Sequence, residues 1–302
     1  IPELLEAVEE VRANTPDGFE VVFVVDGSPD RSYDRLHELL PGQAYRSRLI
    51  SLSRNFGSFA AIRAGLEIGA GDRFAVMAAD LQEPPDLPLR MDQVLRDGEA
   101  DVVFGVREAR ADPATSRLPA QWYWAAYRRL VVPEIPSGGV DVFACTREVR
   151  DRLLELDERS TSLVAQLAWV GFRRATVSYE RRERPYGRSA WTVGKKLTYL
   201  LDSIFAFTDL PIRLLVWGGG IVALLAGLYG LLVLVLRLLG AIEVPGFTVL
   251  ALLVIFFGAL IVFGLGIVGS YASRAYENTK ARPHYLIARI EDLGPSSGDD
   301  DD

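Results

Sequence analysis

Two aspartates stand directly behind apolar runs, in "VVDGSPDRS" (Val24 to Ser32) and "AADLQEPPDLP" (Ala78 to Pro88). In the first, Gly27, Ser28 and Pro29 make a tight turn and Asp30 is placed to cap the next helix. Asp26 sits at the strand's end, where a carboxylate can accept hydrogen bonds from a nucleotide base or ribose. In the second, the prolines stop a strand and start a helix, leaving Asp80 and Gln82 at the rim. Two oxygen ligands two residues apart can hold Mg²⁺ or Mn²⁺ against a diphosphate, although Asp80 alone is also what the polar end of any strand looks like. Arginines at 107, 110, 117, 184 and 188 follow predicted strands and are the guanidinium groups available to phosphates. Arg184, in "RPYGRSAW", is the strongest of these, because it directly precedes an amphipathic stretch beside the membrane. Asp141 follows a glycine pair in "SGGVDVFACTREV"; Trp122, Trp124 and Tyr127 form an aromatic stripe that fits packing better than sugar stacking. Neither His37 nor His284 has neighbours that make a metal site or a triad.

These residues need elements to hold them. "FEVVFVV" (Phe19 to Val25), "SRLISLS" (Ser47 to Ser53), "RFAVMAA" (Arg73 to Ala79) and "DVVFGV" (Asp101 to Val106) read as buried strands. Helical patterns lie between them at Asp30 to Leu40, Ser58 to Ile68 and Leu87 to Arg96. That alternation predicts an α/β fold with a mostly parallel, Rossmann-like sheet, whose ligands bind at the carboxyl ends of the strands.

The second half of the chain is different. Residues 214–236 and 244–273 carry no charge, and each run exceeds the roughly 20 residues that cross a bilayer. The short linker between them predicts a transmembrane hairpin with both ends on one side. Lys195, Lys196, Arg213, Arg274, Lys280, Arg282 and Arg289 flank the outer ends against Arg237 alone in the linker, which puts the N-terminal part in the cytoplasm. Ahead of the hairpin, "KKLTYLLDSIFAFTDLPIR" has the periodicity of a helix lying in the membrane interface or packed on the globular domain. After it come a short helix and a strand, then the solvated, like-charged "PSSGDDDD".

With 302 residues and a net charge of −7, the chain has material for a sizeable core and no basic bias, which argues against nucleic acid as a partner. Its single cysteine, Cys145, forms no internal disulfide, and the acidic start "IPELLEAVEE" is not a secretion signal.

Taken in order, "VVDGSPD", "SRNFGSFAAIRAGL", "ADLQEPPDLP", "GGVDVFACTREV", "RPYGRSAW" and "YENTKARPHYL" resemble a family 2 glycosyltransferase of the polyprenyl-phosphate type, over nearly the whole chain. The resemblance extends to dolichyl-phosphate mannose synthases and bacterial undecaprenyl-phosphate glucosyltransferases. It implies a GT-A catalytic domain over residues 1–190, with a first strand and nucleotide loop upstream of Ile1. A juxtamembrane interfacial helix at 191–212, a hairpin at 213–273 and a cytoplasmic tail at 274–302 complete the expected organisation. It also implies a UDP- or GDP-linked sugar donor, Mg²⁺ or Mn²⁺, and a polyprenyl phosphate acceptor in a bacterial or archaeal cell membrane. In those terms Asp26, Asn55 and Gln82 bind the nucleotide sugar, Asp80 and Gln82 hold the metal, and Asp80, Asp141 and Arg184 are catalytic. Arg117, Arg184, Arg188 and Ser189 receive the acceptor phosphate.

The chain departs from the pattern at informative places. Ala78 stands where the family has the first aspartate of a D-x-D pair, Val25 where it has the first of two aspartates, Ser58 where a lysine often follows "NFG", and Ala190 where a lysine follows the serine. A weaker metal site, a different donor, or loss of activity would follow from such changes.

The chemistry makes its own demand. A phosphate nucleophile, with a second pKa near ~6, is already largely anionic at neutral pH and needs no strong base. Stabilising the departing nucleoside diphosphate is the harder task, and it calls for cations. Asp141 then suits the orienting of a sugar hydroxyl or an arginine. The expected activity is inverting transfer of a sugar from a nucleotide donor to polyprenyl phosphate at the cytoplasmic face, giving a lipid-linked sugar for envelope or protein glycosylation. Transfer to another lipid such as diacylglycerol, or a non-catalytic nucleotide-sugar-binding scaffold, are the alternatives. Glycine runs at 218–220 and within 264–269 would permit a homo-oligomer.

Overall fold

The apolar runs do become the core. A computed structural model describes residues 1–15, 18–107, 140, 142–158, 162–181, 204–205, 208, 210–239 and 246–294. In chain order its elements are α1 (Pro2–Ala13), β1 (Glu20–Val25), α2 (Ser32–Leu39), β2 (Arg46–Leu52), α3 (Ser58–Ile68), β3 (Arg73–Ala75), α4 (Leu87–Arg96) and β4 (Val102–Arg107). They continue with β5 (Val142–Thr146), α5 (Arg147–Glu155), α6 (Leu163–Trp169), β6 (Arg174–Tyr179), α7 (Leu210–Leu238), α8 (Phe247–Thr279) and β7 (Ile287–Leu293).

The strands form two sheets, ordered β1-β2-β7 and β3-β5-β4-β6. Here the expectation of one mostly parallel sheet needs correcting. Pairs β1·β2 and β4·β6 are parallel, whereas β2·β7, β3·β5 and β4·β5 are antiparallel. The physical reason lies in which strands are inserted. β5 enters between β3 and β4 running against both, and β7 arrives from beyond the long helices to pair with β2 in the opposite direction. Crossover helices enforce parallel pairing only between the strands they connect, so an α/β alternation does not exclude such insertions.

Helix α3 links the two sheets. Its Ala64 packs with Ile50 and Leu52 of β2, while Leu66 joins Val102, Phe104, Phe143 and Cys145 of the second sheet. Arg63, all but buried, donates to the carbonyls of Leu153 (3.2 Å) and Leu154, satisfying groups at the end of α5 that would otherwise face apolar surroundings. Helix α4 lays Leu87, Met91 and Leu95 on Val103, Val142, Ala144 and Tyr179. Asp92 on α4 receives Arg73 Nε of β3 and Arg96 Nε, each at 2.6 Å, and so ties both ends of the β3–α4 segment together.

Cys145 is completely buried in β5, and that burial pushes its thiol up to about 12. Two outcomes follow. The folded protein resists iodoacetamide at pH 8 and is labelled once denatured. Because the unfolded thiol loses its proton from about its ordinary 9.0 while the folded one keeps it, the unfolded state binds fewer protons above that pH. Cys145 therefore makes stability fall as pH rises from about 9 towards 12, and denaturant titrations of wild type and Cys145→Ala across that range check the slope.

The two uncharged runs form the long helices α7 and α8, with Val216, Trp217, Leu224, Leu250, Val262 and Phe263 all more than half exposed. Among the described residues, Phe256–Thr279 is the segment long and apolar enough to cross a membrane, with a mean hydropathy of 1.8 and its apolar stretch left unburied by the rest of the protein. Gly264 of α8 lets Leu215 of α7 approach closely. Most of the expected interfacial helix lies outside the described residues, as do the linker 240–245 and the tail 295–302. Phe205 is described, and its ring meets Tyr271 of α8 edge-on at 5.3 Å.

After α8 the chain returns to the globular domain. Strand β7 pairs with β2 from Ser47↔Leu293 to Leu52↔Ile287. Side chains reinforce the join: Ser47 Oγ donates to Leu293 O (2.9 Å), Tyr33 Oη to Glu291 (2.9 Å), and His37 Nε2 lies 2.8 Å from the same carboxylate. Just before β7, His284 Nε2 meets Asp157 at 2.8 Å and Tyr285 Oη donates to Glu67. Burial first, and then Glu67, push the Tyr285 hydroxyl well above the ordinary tyrosine range.

Candidate active site

β3, β4 and β6 run in the same direction, since β5 opposes both β3 and β4 and β6 is parallel to β4. The segments leaving their carboxyl ends therefore share one rim. β3 is shorter than expected. It ends at Ala75 rather than Ala79, with one further bond from Val76 N to Phe143 O (2.9 Å), and the chain then turns. Leu81 adopts a left-handed conformation (φ 53°) inside that turn, an arrangement uncommon for a non-glycine residue. It is held by Leu81 N donating to Ala78 O (3.3 Å) and by Gln82 N reaching Asp80 Oδ1 (3.4 Å). Asp80 is thus half-buried on the rim, its loop braced by two prolines and by the Arg73–Asp92–Arg96 tie.

Gln82 does not present a bare oxygen. Its side chain is buried, and Oε1 accepts a hydrogen bond from Arg181 Nη2 at 2.5 Å. Arg181 lies two residues past the end of β6, while Arg107, the last residue of β4, pairs with Tyr179 across that strand. The rim therefore carries Asp80, Gln82, Arg107 and Arg181. The sequence singles out Arg107 on this rim but not Arg181, which is set apart only by its bond to Gln82.

Asp26 and Asn55 form a second group, behind the parallel strands β1 and β2. Asp26 accepts hydrogen bonds from the backbone N–H of Phe56 (2.7 Å) and of Gly57 (2.8 Å), one on each carboxylate oxygen. Asn55 Nδ2 donates to the Asp26 carbonyl at 3.2 Å. Asp26 thereby shapes the "NFG" loop and the start of α3, with its remaining lone pairs as the acceptors left for a ligand. Close approach requires Gly27 here: its φ is +59° and a Cβ would fall 2.7 Å from Arg54 Cα. Asp30 does not cap the next helix as expected: the N-cap position falls on Arg31, with no side-chain cap, and Asp30 instead accepts from Ser32 N at 3.0 Å in the turn before it; the Ser32 hydroxyl and then this backbone bond hold its carboxyl below the usual range. Asp141, Arg117, Arg184, Arg188 and Ser189 lie outside the described residues, together with Arg110 and the Trp122–Tyr127 stripe.

The fit to a divalent ion can be judged from the donors. Among the described residues no group of three or more His, Cys, Asp or Glu side chains could hold a metal. Asp80 supplies one carboxylate, Ala78 supplies nothing, and the Gln82 oxygen is engaged by a guanidinium. Mg²⁺ is commonly held by one or two carboxylates plus substrate phosphates, and Asp80 meets the minimum of that arrangement.

The family model for glycosyl transferase family 2 matches residues 1–157. An undecaprenyl-phosphate 4-deoxy-4-formamido-L-arabinose transferase of Pseudomonas paraeruginosa is 33% identical over 302 residues, covering 98% of this chain and 88% of the relative. A bactoprenol glucosyl transferase of Shigella phage SfX is 31% identical over 288 residues, covering 95% and 94%. An uncharacterized glycosyltransferase of Bacillus subtilis is 31% identical over 292 residues, covering 96% and 89%.

Proposed function

The chain belongs to glycosyl transferase family 2, and from that premise we propose that it transfers a sugar from a nucleotide-sugar donor to a polyprenyl phosphate at the cytoplasmic face of a cell membrane, with inversion. One observation carries the acceptor assignment: similarity to transferases named for undecaprenyl phosphate and bactoprenol runs through the helical region as well as the catalytic domain, over 98% and 95% of the chain. The topology supports two crossings. The chain leaves the catalytic domain after β6 and rejoins it at β7, so whatever crosses must cross an even number of times, and α7 partners the span in α8.

In this reading the donor diphosphate lies over the rim formed by β3, β4 and β6. Asp80 would hold the divalent ion, which when bound neutralises charge on the departing diphosphate. Arg107 and Arg181 bring guanidinium charge to the same end of the sheet, and Asp26 keeps the "NFG" loop shaped around the donor's nucleoside. The acceptor phosphate attacks the anomeric carbon without losing a further proton, so the enzyme's work is alignment and charge compensation. Arg117, Arg184, Arg188, Ser189 and Asp141 are assigned to the acceptor side.

The test uses the full chain in detergent with labelled nucleotide sugars, Mg²⁺ or Mn²⁺ and undecaprenyl phosphate. Organic-soluble label released by mild acid is the expected result. Label on diacylglycerol would move the acceptor to a different lipid, and binding without turnover would make the protein a scaffold.

A further inference from the structure

The bond between Arg181 and Gln82 bears on how cations enter the site, and the inference drawn from it rests on the reading of Asp80 as metal holder. Gln82 is a buried amide whose oxygen lies 2.5 Å from Arg181 Nη2. Arg181 Nε is also shielded from solvent, and it finds no hydrogen-bond acceptor among the described residues. A guanidinium offers its donors in a fixed fork suited to carboxylate or phosphate oxygens, and a single amide oxygen leaves that fork half used. A divalent ion on the same Gln82 oxygen would lie within about 5 Å of the guanidinium charge, and the two cations would repel.

We propose that Arg181 is a positioning residue that withholds Gln82 from the divalent ion until a nucleoside diphosphate draws the guanidinium away. With the diphosphate present, both arms of Arg181 find phosphate oxygens, Gln82 Oε1 is released, and Asp80 gains a second oxygen beside it. Ala78 makes this device matter. With that position supplying no ligand, the Gln82 oxygen decides whether one protein group or two can face the ion. Donor and ion then bind cooperatively, and by linkage each tightens the other by the same factor.

The experiment measures Mn²⁺ binding by electron paramagnetic resonance on the detergent-solubilised full chain, alone and with UDP or GDP, against blanks containing the same nucleotide. Wild type is expected to bind Mn²⁺ at least about fivefold more tightly with nucleotide than without, the low end of typical coupling between sites. Arg181→Gln is expected to bind Mn²⁺ alone about fivefold more tightly than wild type, and to lose most of the nucleotide enhancement. Arg181→Lys keeps the charge without the fork and should retain weak Mn²⁺ binding, while thermal unfolding reports whether each variant is folded. Mn²⁺ affinity unchanged or weakened in folded Arg181→Gln would overturn the role of Arg181 and leave Asp80 as metal holder untouched. Absence of Mn²⁺ binding by wild type even with nucleotide would overturn both. No turnover is needed, so failure of the acceptor assignment cannot be mistaken for either result.

Discussion

Asp80→Ala is expected to lower the rate of sugar transfer by about 10²–10³-fold, the usual cost of removing one group that stabilises developing charge. The loss falls on turnover rather than on folding. Asp80 is half-buried on a rim loop, whose turn is also held by Leu81 N donating to Ala78 O (3.3 Å). The elements around it are fixed independently, by the Asp92 ties to Arg73 and Arg96 and by the Leu87, Met91 and Leu95 packing of α4. Single-turnover transfer and thermal unfolding, measured on one preparation, separate the two effects. A variant that unfolds at the wild-type temperature and transfers sugar at the wild-type rate would remove Asp80 from the mechanism.

Gly27→Ala should be the most damaging small change in the donor half. A left-handed φ of +59° is already costly for an alanine, and its Cβ would press on the backbone of Arg54 and Asn55 rather than on a side chain that could swing aside. Together these effects are expected to cost about 2–4 kcal/mol. The displacement would also carry Asp26 away from Phe56 N and Gly57 N, bonds of 2.7 and 2.8 Å that set the loop before α3. Unfolding temperature and the donor KM should therefore worsen together. An unchanged KM in a destabilised protein would mean that this loop does not meet the donor.

The helices at Ser58–Ile68 and Leu87–Arg96 were legible to the residue, because their apolar spacing is bounded by Gly57 and Gly69 in one case and by a proline pair in the other. The cores of β1, β2 and β4 were equally plain as apolar runs. Pairing was not legible. Strand β7 was visible as a strand, but no local pattern in "LIARIEDL" announces β2 as its partner, since the contact closes over more than 240 residues. Asp80 could be singled out because prolines mark its loop. Arg181 could not be told from its neighbours in "RRERPYGR", because what distinguishes it is a bond to Gln82, 99 residues earlier.

The pairing of β7 with β2 also dictates a timetable. At about 5–20 residues per second, synthesis needs on the order of ten seconds or more after β2 before β7 leaves the ribosome, and both long helices emerge in between. During that interval the outer edge of β2 has no strand beside it, and an open edge is an invitation to pair wrongly. The β1-β2-β7 sheet is therefore completed by β7 only after both long helices have been synthesised. Strand order thus ties the two halves of the chain together: a chain cut short within the long helices leaves the edge of β2 open, because the strand that closes it has not yet been made.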